Sequence, residues 1–194
     1  MQDTFKNYQK ETRIINLYTA NLFGLLFFIP VIFLYGGPFY LIWGKQDYIA
    51  QMKGHFEGQE IGFGFTVVLV AVLGILLHEF IHGLSWASFT KRGFKSIKFG
   101  VLWKMLTPYC HCKEPLSTKQ YIIGAAMPAL VLGIIPGLLS ILTGSFPLLV
   151  FAIFFTAAAA GDFMLIAKML KEDKDSLVMD HPSEAGYYVF IKEE

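Results

Sequence analysis

Residues 61–89 read IGFGFTVVLVAVLGILLHEFIHGLSWASF. From Ile61 to Leu77 the run is uncharged, and Thr66 is its only polar side chain. Three ionisable groups then arrive within five residues: His78, Glu79 and His82. A helix crosses the hydrocarbon core with about 20 apolar residues, so the stretch makes a span if those three groups are accepted inside it. A carboxylate there costs about 2.5 to 3.5 kcal/mol on insertion scales, and such groups persist where they pair, face a polar cavity or bind a ligand. On a helix, residues four apart share a face. Both imidazoles can therefore hold one zinc ion, and Glu79, beside the first histidine, can reach water on that metal as general base.

The rest of the chain supports lipid as the solvent. Of 194 residues, 55% are hydrophobic and 16% charged, whereas soluble domains carry about a quarter charged. Ile14 to Gly44, Ile61 to His78 and Gln120 to Gly161 lack Lys, Arg, Asp and Glu altogether. The third stretch is too long for one crossing and contains Thr143-Gly144-Ser145-Phe146-Pro147, a turn-rich cluster. The expected fold is an α-helical integral membrane protein, one domain over 1–194, with four transmembrane helices at about 17–43, 61–89, 121–142 and 147–170. Pro30 and Gly36-Gly37-Pro38 are expected to kink or shorten the first span. Lys6, Lys10 and Arg13 precede that span as they would in a signal peptide. Its apolar stretch is too long, however, and lacks a small-residue cleavage site, so it is expected to be retained.

Four spans place the N-terminus, the Lys91 to Lys119 loop and the tail 171–194 on one side. With Lys168 at the end of the fourth span, that side carries fourteen of the sixteen Lys and Arg, leaving Lys45 and Lys53 opposite. The positive-inside rule makes both termini cytoplasmic. Cys110 and Cys112 then lie in a reducing compartment, where a disulfide is not expected. The net charge of +1 says nothing about nucleic acid, and no nucleic-acid partner is expected. The basic loop suits anionic lipid headgroups.

Within that loop Phe94, Ile97, Phe99, Val101 and Trp103 nearly alternate with Lys95, Lys98 and Lys104, which is a strand pattern. Residues 94–116 are expected to form a short cytoplasmic β-hairpin against the membrane. Tyr187-Tyr188-Val189-Phe190-Ile191 in the tail is also β-prone and is expected to dock on the hairpin or remain without structure.

Catalytic zinc takes three protein ligands and a water. His55 lies on the wrong side, and His111, Glu114 and His181 lie in cytoplasmic segments. Asp162 is the one acidic residue inside the fourth span. His82 lies nine residues before Lys91, and Asp162 six before Lys168 and nine before Lys171. At about 1.5 Å per residue both sit at a similar depth, as a shared metal requires. Ala157 to Gly161 is a run of small residues that permits close helix approach. His111 and Glu114 are candidates for holding substrate. Cys110-His111-Cys112 suggests a second metal, but alternation on a strand points His111 away from the two cysteines, and further ligands are not evident. Asp180-His181-Pro182-Ser183 reads as a turn.

The chain resembles the zincin peptidase family of small bacterial membrane proteins. The resemblance rests on Leu77-His78-Glu79-Phe80-Ile81-His82-Gly83, Tyr109-Cys110-His111-Cys112-Lys113-Glu114-Pro115-Leu116 and Gly161-Asp162. At the level of fold it is similar to site-2 proteases. That likeness implies His78, His82 and Asp162 as zinc ligands and Glu79 as catalytic base. Phe163 follows Asp162 where those enzymes have glycine, and the asparagines found near their aspartate and in their third span are absent.

The expected activity is hydrolysis of peptide bonds at or within the membrane, on a membrane-associated protein or peptide. An exposed edge of the 94–103 strand would hold the extended substrate by strand addition. The alternative is a non-catalytic membrane metal-binding scaffold or regulator. A metal transporter would need a polar path along Ile61 to Leu77, which the sequence does not offer.

Overall fold

The computed structural model describes residues 7–44, 46–48, 50, 60–103, 107–174, 176–182 and 184–192. The chain runs β1 (Tyr8–Ile14), α1 (Leu17–Trp43), α2 (Glu60–Ala87), β2 (Ile97–Leu102), β3 (Thr107–Cys112) and β4 (Leu116–Ser117). It continues through α3 (Thr118–Pro128), a π-helical stretch (Ala129–Ile134), α4 (Ile135–Thr143), α5 (Phe146–Ala158), α6 (Ala160–Met169), β5 (Leu177–Asp180) and β6 (Gly186–Lys192). Most of the expected external segment 44–60, with His55, lies outside the described residues.

Three helical stretches are long and apolar enough to cross a membrane: Tyr18–Trp43, Gly62–Ala87 and Thr118–Thr143. The α5–α6 pair bends by 44° at its break and makes up to a fourth. In the first two, only 17% of the most apolar window is buried within the protein, so their described leucines face outward. Helix α1 continues through Pro30 and Pro38 and does not stop at Gly36-Gly37 as expected. The break in the last pair falls at Ala159, in the small-residue run that was read as uninterrupted helix. Gly144, at φ +70°, closes α4 in the left-handed conformation that glycine adopts without penalty, which places the turn where it was expected.

The chain divides into two compact units, residues 1–22, 79–127 and 161–194, and residues 23–78 and 128–160. The second unit is helical. Val31, Tyr35, Phe39 and Leu149 form its core, with Phe27, Trp43, Ile141 and Phe146 around them. Trp43 Nε1 donates to the Ile141 carbonyl at 2.9 Å. Close packing there depends on glycine, because a Cβ at Gly74 would enter the Phe155 ring. Phe155 is itself buried and packs on Phe151 and Phe154. Gly74→Ala is therefore expected to destabilise by about 1–3 kcal/mol, read as a lowered midpoint of thermal unfolding in detergent.

The first unit carries the sheets. Strands run in the order β1-β6-β5-β4, all antiparallel, with Tyr8 opposite Lys192 and Leu116 opposite Val178. β2 and β3 form a separate hairpin with Ile97 opposite Cys112, as the alternation predicts. The tail meets that hairpin through Asp180 of β5, which accepts from the Cys112 N–H, and not by pairing of the Tyr187 to Ile191 strand. β6 pairs with β1 and β5 instead. Trp86, Ile97, Cys112, Tyr121, Met169, Val178 and Tyr187 are packed between these elements. Arg13 Nε and the Tyr187 hydroxyl both donate to Glu172 Oε1, at 2.8 and 3.1 Å, which ties β1 and β6 to the end of α6. The hairpin rests on α2, where Phe80 stacks with Phe94 and Phe99 and the Phe99 ring occupies the space over Gly83.

Candidate metal centre and its cavity

His78 and His82 stand one turn apart on the uninterrupted helix α2, both buried. Asp162 lies in the first turn of α6. His82 Nε2 is 3.3 Å from Asp162 Oδ1. One ligand atom from each of His78, His82 and Asp162 lies within 4.8 Å of the others. Zinc bonds of about 2.0–2.2 Å at tetrahedral angles put neighbouring ligand atoms roughly 3.4 Å apart, and the His82–Asp162 spacing matches that edge.

The second ring nitrogen of His82 supports the same assignment. Nδ1 is 3.0 Å from the Gly124 carbonyl oxygen. A carbonyl only accepts, so Nδ1 carries the hydrogen and donates it. In the neutral ring Nε2 is then the nitrogen with the free electron pair, and it faces a carboxylate oxygen, an arrangement that suits a cation between them. Trp86 stacks on the His82 ring with centroids 5.0 Å apart and planes at 11°. Its own Nε1–H donates to the Tyr121 carbonyl at 3.1 Å. A Cβ at Gly124 would collide with the indole, so glycine there lets α3 approach closely enough to hold both rings.

His82 and Asp162 open on a cavity of about 330 Å³, within the usual range for ligand sites. Glu79, His82 and Asp162 line one wall, Tyr109 to His111 of β3 another, and the β5–β6 turn closes it with His181 and Glu184. Asp180 also reaches the cavity. It accepts from the Tyr121 hydroxyl and, at 2.6 Å, from the Cys112 N–H. His111 Nδ1 lies 3.8 Å from the same carboxylate. Burial raises the Asp180 carboxyl to about 6, against the pull of those two hydrogen bonds. Burial, aided by Lys98 and Lys113, lowers the His111 imidazole. Sequence reading assigned Asp180 to a turn. The carboxylate instead ends β5 and ties together α3, β3 and β5. The sequence Leu-Val-Met-Asp shows no apolar–polar alternation, and its alternating burial emerges only in the paired strand.

The other candidates separate clearly. Burial raises Cys112 to about 12 and pushes Cys110 up as well, so both remain thiols. Among the described residues, His78, His82 and Asp162 are the one group of three that could hold a metal. Glu114 is absent from the cavity wall. It accepts from Arg92 Nε at 2.7 Å, Ser96 Oγ at 2.6 Å and Lys91 N–H at 2.9 Å, closing the turn between α2 and β2. Those hydrogen bonds, Arg92 foremost, lower its carboxyl to about 2. Glu114→Gln is accordingly expected to leave zinc affinity unchanged and to cost no more than about 1 kcal/mol of stability, as for other exposed pairs. Zinc titration alongside thermal unfolding checks both.

A family model described as "putative zincin peptidase" matches residues 71–177. The match covers more than half of the chain. The chain belongs to this family. The zincin peptidase match begins seven residues before His78 and takes in Glu79, His82, His111 and Asp162. It ends three residues before Asp180. No curated protein and no solved structure matches the chain.

Proposed function

We propose that this zincin peptidase family member is a membrane-embedded zinc metallopeptidase, hydrolysing peptide bonds in a site-2 protease-like manner with both termini in the cytoplasm. The observation that carries the reading is the convergence of His78, His82 and Asp162, with His82, Asp162 and Glu79 on the wall of one cavity. Outward-facing apolar helices support the membrane setting, and fourteen of sixteen basic residues on one side support the orientation.

His78, His82 and Asp162 would hold the metal. Zinc, when bound, supplies Lewis-acid activation of water and of the scissile carbonyl. Glu79 accepts the proton of the attacking water at its carboxylate and delivers it to the leaving amine nitrogen. His111 and the Asp180 carboxylate face the same space and are placed to position the substrate backbone.

Strand geometry suggests how substrate is held. Lys113 N–H donates to the Ser96 carbonyl on the β2 side, whereas Cys112 N–H points away from β2 to Asp180. Alternation then turns the Cys110 N–H and C=O away from β2 as well. An extended peptide pairing with that edge would lie along the cavity. This moves the expected strand addition from the 94–103 strand to β3. The cavity beside the donors favours an enzyme over a closed scaffold site.

Removing the metal tests the reading. Purified full-length protein in detergent, given an unfolded apolar peptide, is expected to lose cleavage on chelation and to regain it with zinc. Undiminished cleavage after complete chelation would exclude the proposal.

A further inference from the structure

In an α-helix the carbonyl of each residue accepts from the N–H four residues on. The partner due to Gly124 in α3 is Pro128, which has no N–H. A proline ring also crowds the carbonyl four residues before it and turns it off the helix axis. A buried carbonyl left without its helix donor needs another. His82 Nδ1 supplies one at 3.0 Å. Pro128 is itself fully buried, so it is not a bend exposed at a helix end.

We infer that Pro128 is a positioning residue for the metal centre: by withholding an N–H, it frees the Gly124 carbonyl to fix the tautomer and orientation of the His82 ring. The other parts of the arrangement agree. Gly124 has no Cβ, so Trp86 lies against α3 and stacks on His82 from the side. With Nδ1 donating, the neutral ring leaves Nε2 as the ligating nitrogen, and it faces Asp162 Oδ1 at 3.3 Å. Partners of this kind orient a ligating imidazole and raise its basicity. The inference rests on the zinc-site reading given above.

A structural role for the proline ring is the competing account, because the π-helical stretch Ala129–Ile134 begins directly after it. Two substitutions separate them. Pro128→Ala restores an N–H that competes for the Gly124 carbonyl. Replacing Pro128 by an α-hydroxy acid through nonsense suppression removes the ring but still offers no N–H, since the backbone link becomes an ester. Zinc affinity is measured on the full chain in detergent by competition with a chromophoric chelator. Pro128→Ala is expected to raise the zinc Kd by about 10- to 100-fold, the usual effect of losing such a partner. The ester variant is expected to bind as the wild type does. Unchanged affinity in Pro128→Ala overturns the inference, and so does an ester variant as weak as the alanine one. His82→Ala is the control: if it binds zinc as well as the wild type, the site reading itself fails.

Discussion

Glu79→Gln is expected to reduce peptide hydrolysis by at least about 100-fold, the scale of a lost general base, with the zinc content unchanged. The carboxylate lies in the cavity wall with His82 and Asp162, but is not one of the three donors that converge. Glutamine keeps the side chain's length and shape. What it loses is the ability to take a proton from water and return it to the leaving amine. Rate and metal content must be read on the same preparation. A variant that cleaves at the wild-type rate removes Glu79 from the chemistry. One that loses zinc makes it a ligand or a structural residue.

Asp162→Ala is expected to weaken zinc binding by more than the about 10- to 100-fold that loss of a supporting partner costs. It removes a ligand and the negative charge opposite His82. The two atoms stand 3.3 Å apart although their residues are eighty positions apart in sequence, a juxtaposition that local structure cannot produce. His78 and His82 would remain on α2, giving a two-ligand site in which zinc exchanges readily. Asp162→Asn separates charge from shape, since an amide oxygen is a poor zinc ligand in the same volume. Both variants are compared by chelator competition. Wild-type affinity in either one would require a different third ligand.

How much of this was legible depends on the range of the interaction involved. The helices were readable because lipid-length apolar runs announce themselves locally: the first span was expected at 17–43, where α1 is found. The His82–Asp162 pair was readable because charges in apolar spans are few and their depth can be counted. The four-stranded sheet was not. β1, reading YQKETRI, is mostly polar and becomes a strand by pairing with β6, at the far end of the chain. The bend at Ala159 lacked a proline or other marker in the alanine run. Asp180 was hidden by its neighbours: Asp-His-Pro-Ser has the composition of a turn, and only the pairing of β5 with β4 and β6 shows the carboxylate pointing inward. Glu114, a candidate for holding substrate, is claimed instead by Arg92 and Ser96.

The central claim is that zinc is held by His78, His82 and Asp162. X-ray absorption at the zinc edge of the purified full-length protein tests it most directly. The account predicts about one zinc per chain with a first shell of nitrogen and oxygen only, at about 2.0–2.2 Å, carrying the outer-shell signature of two imidazoles. A sulfur scatterer at about 2.3 Å would place the metal at Cys110 or Cys112 and contradict it, as would a preparation that retains no zinc.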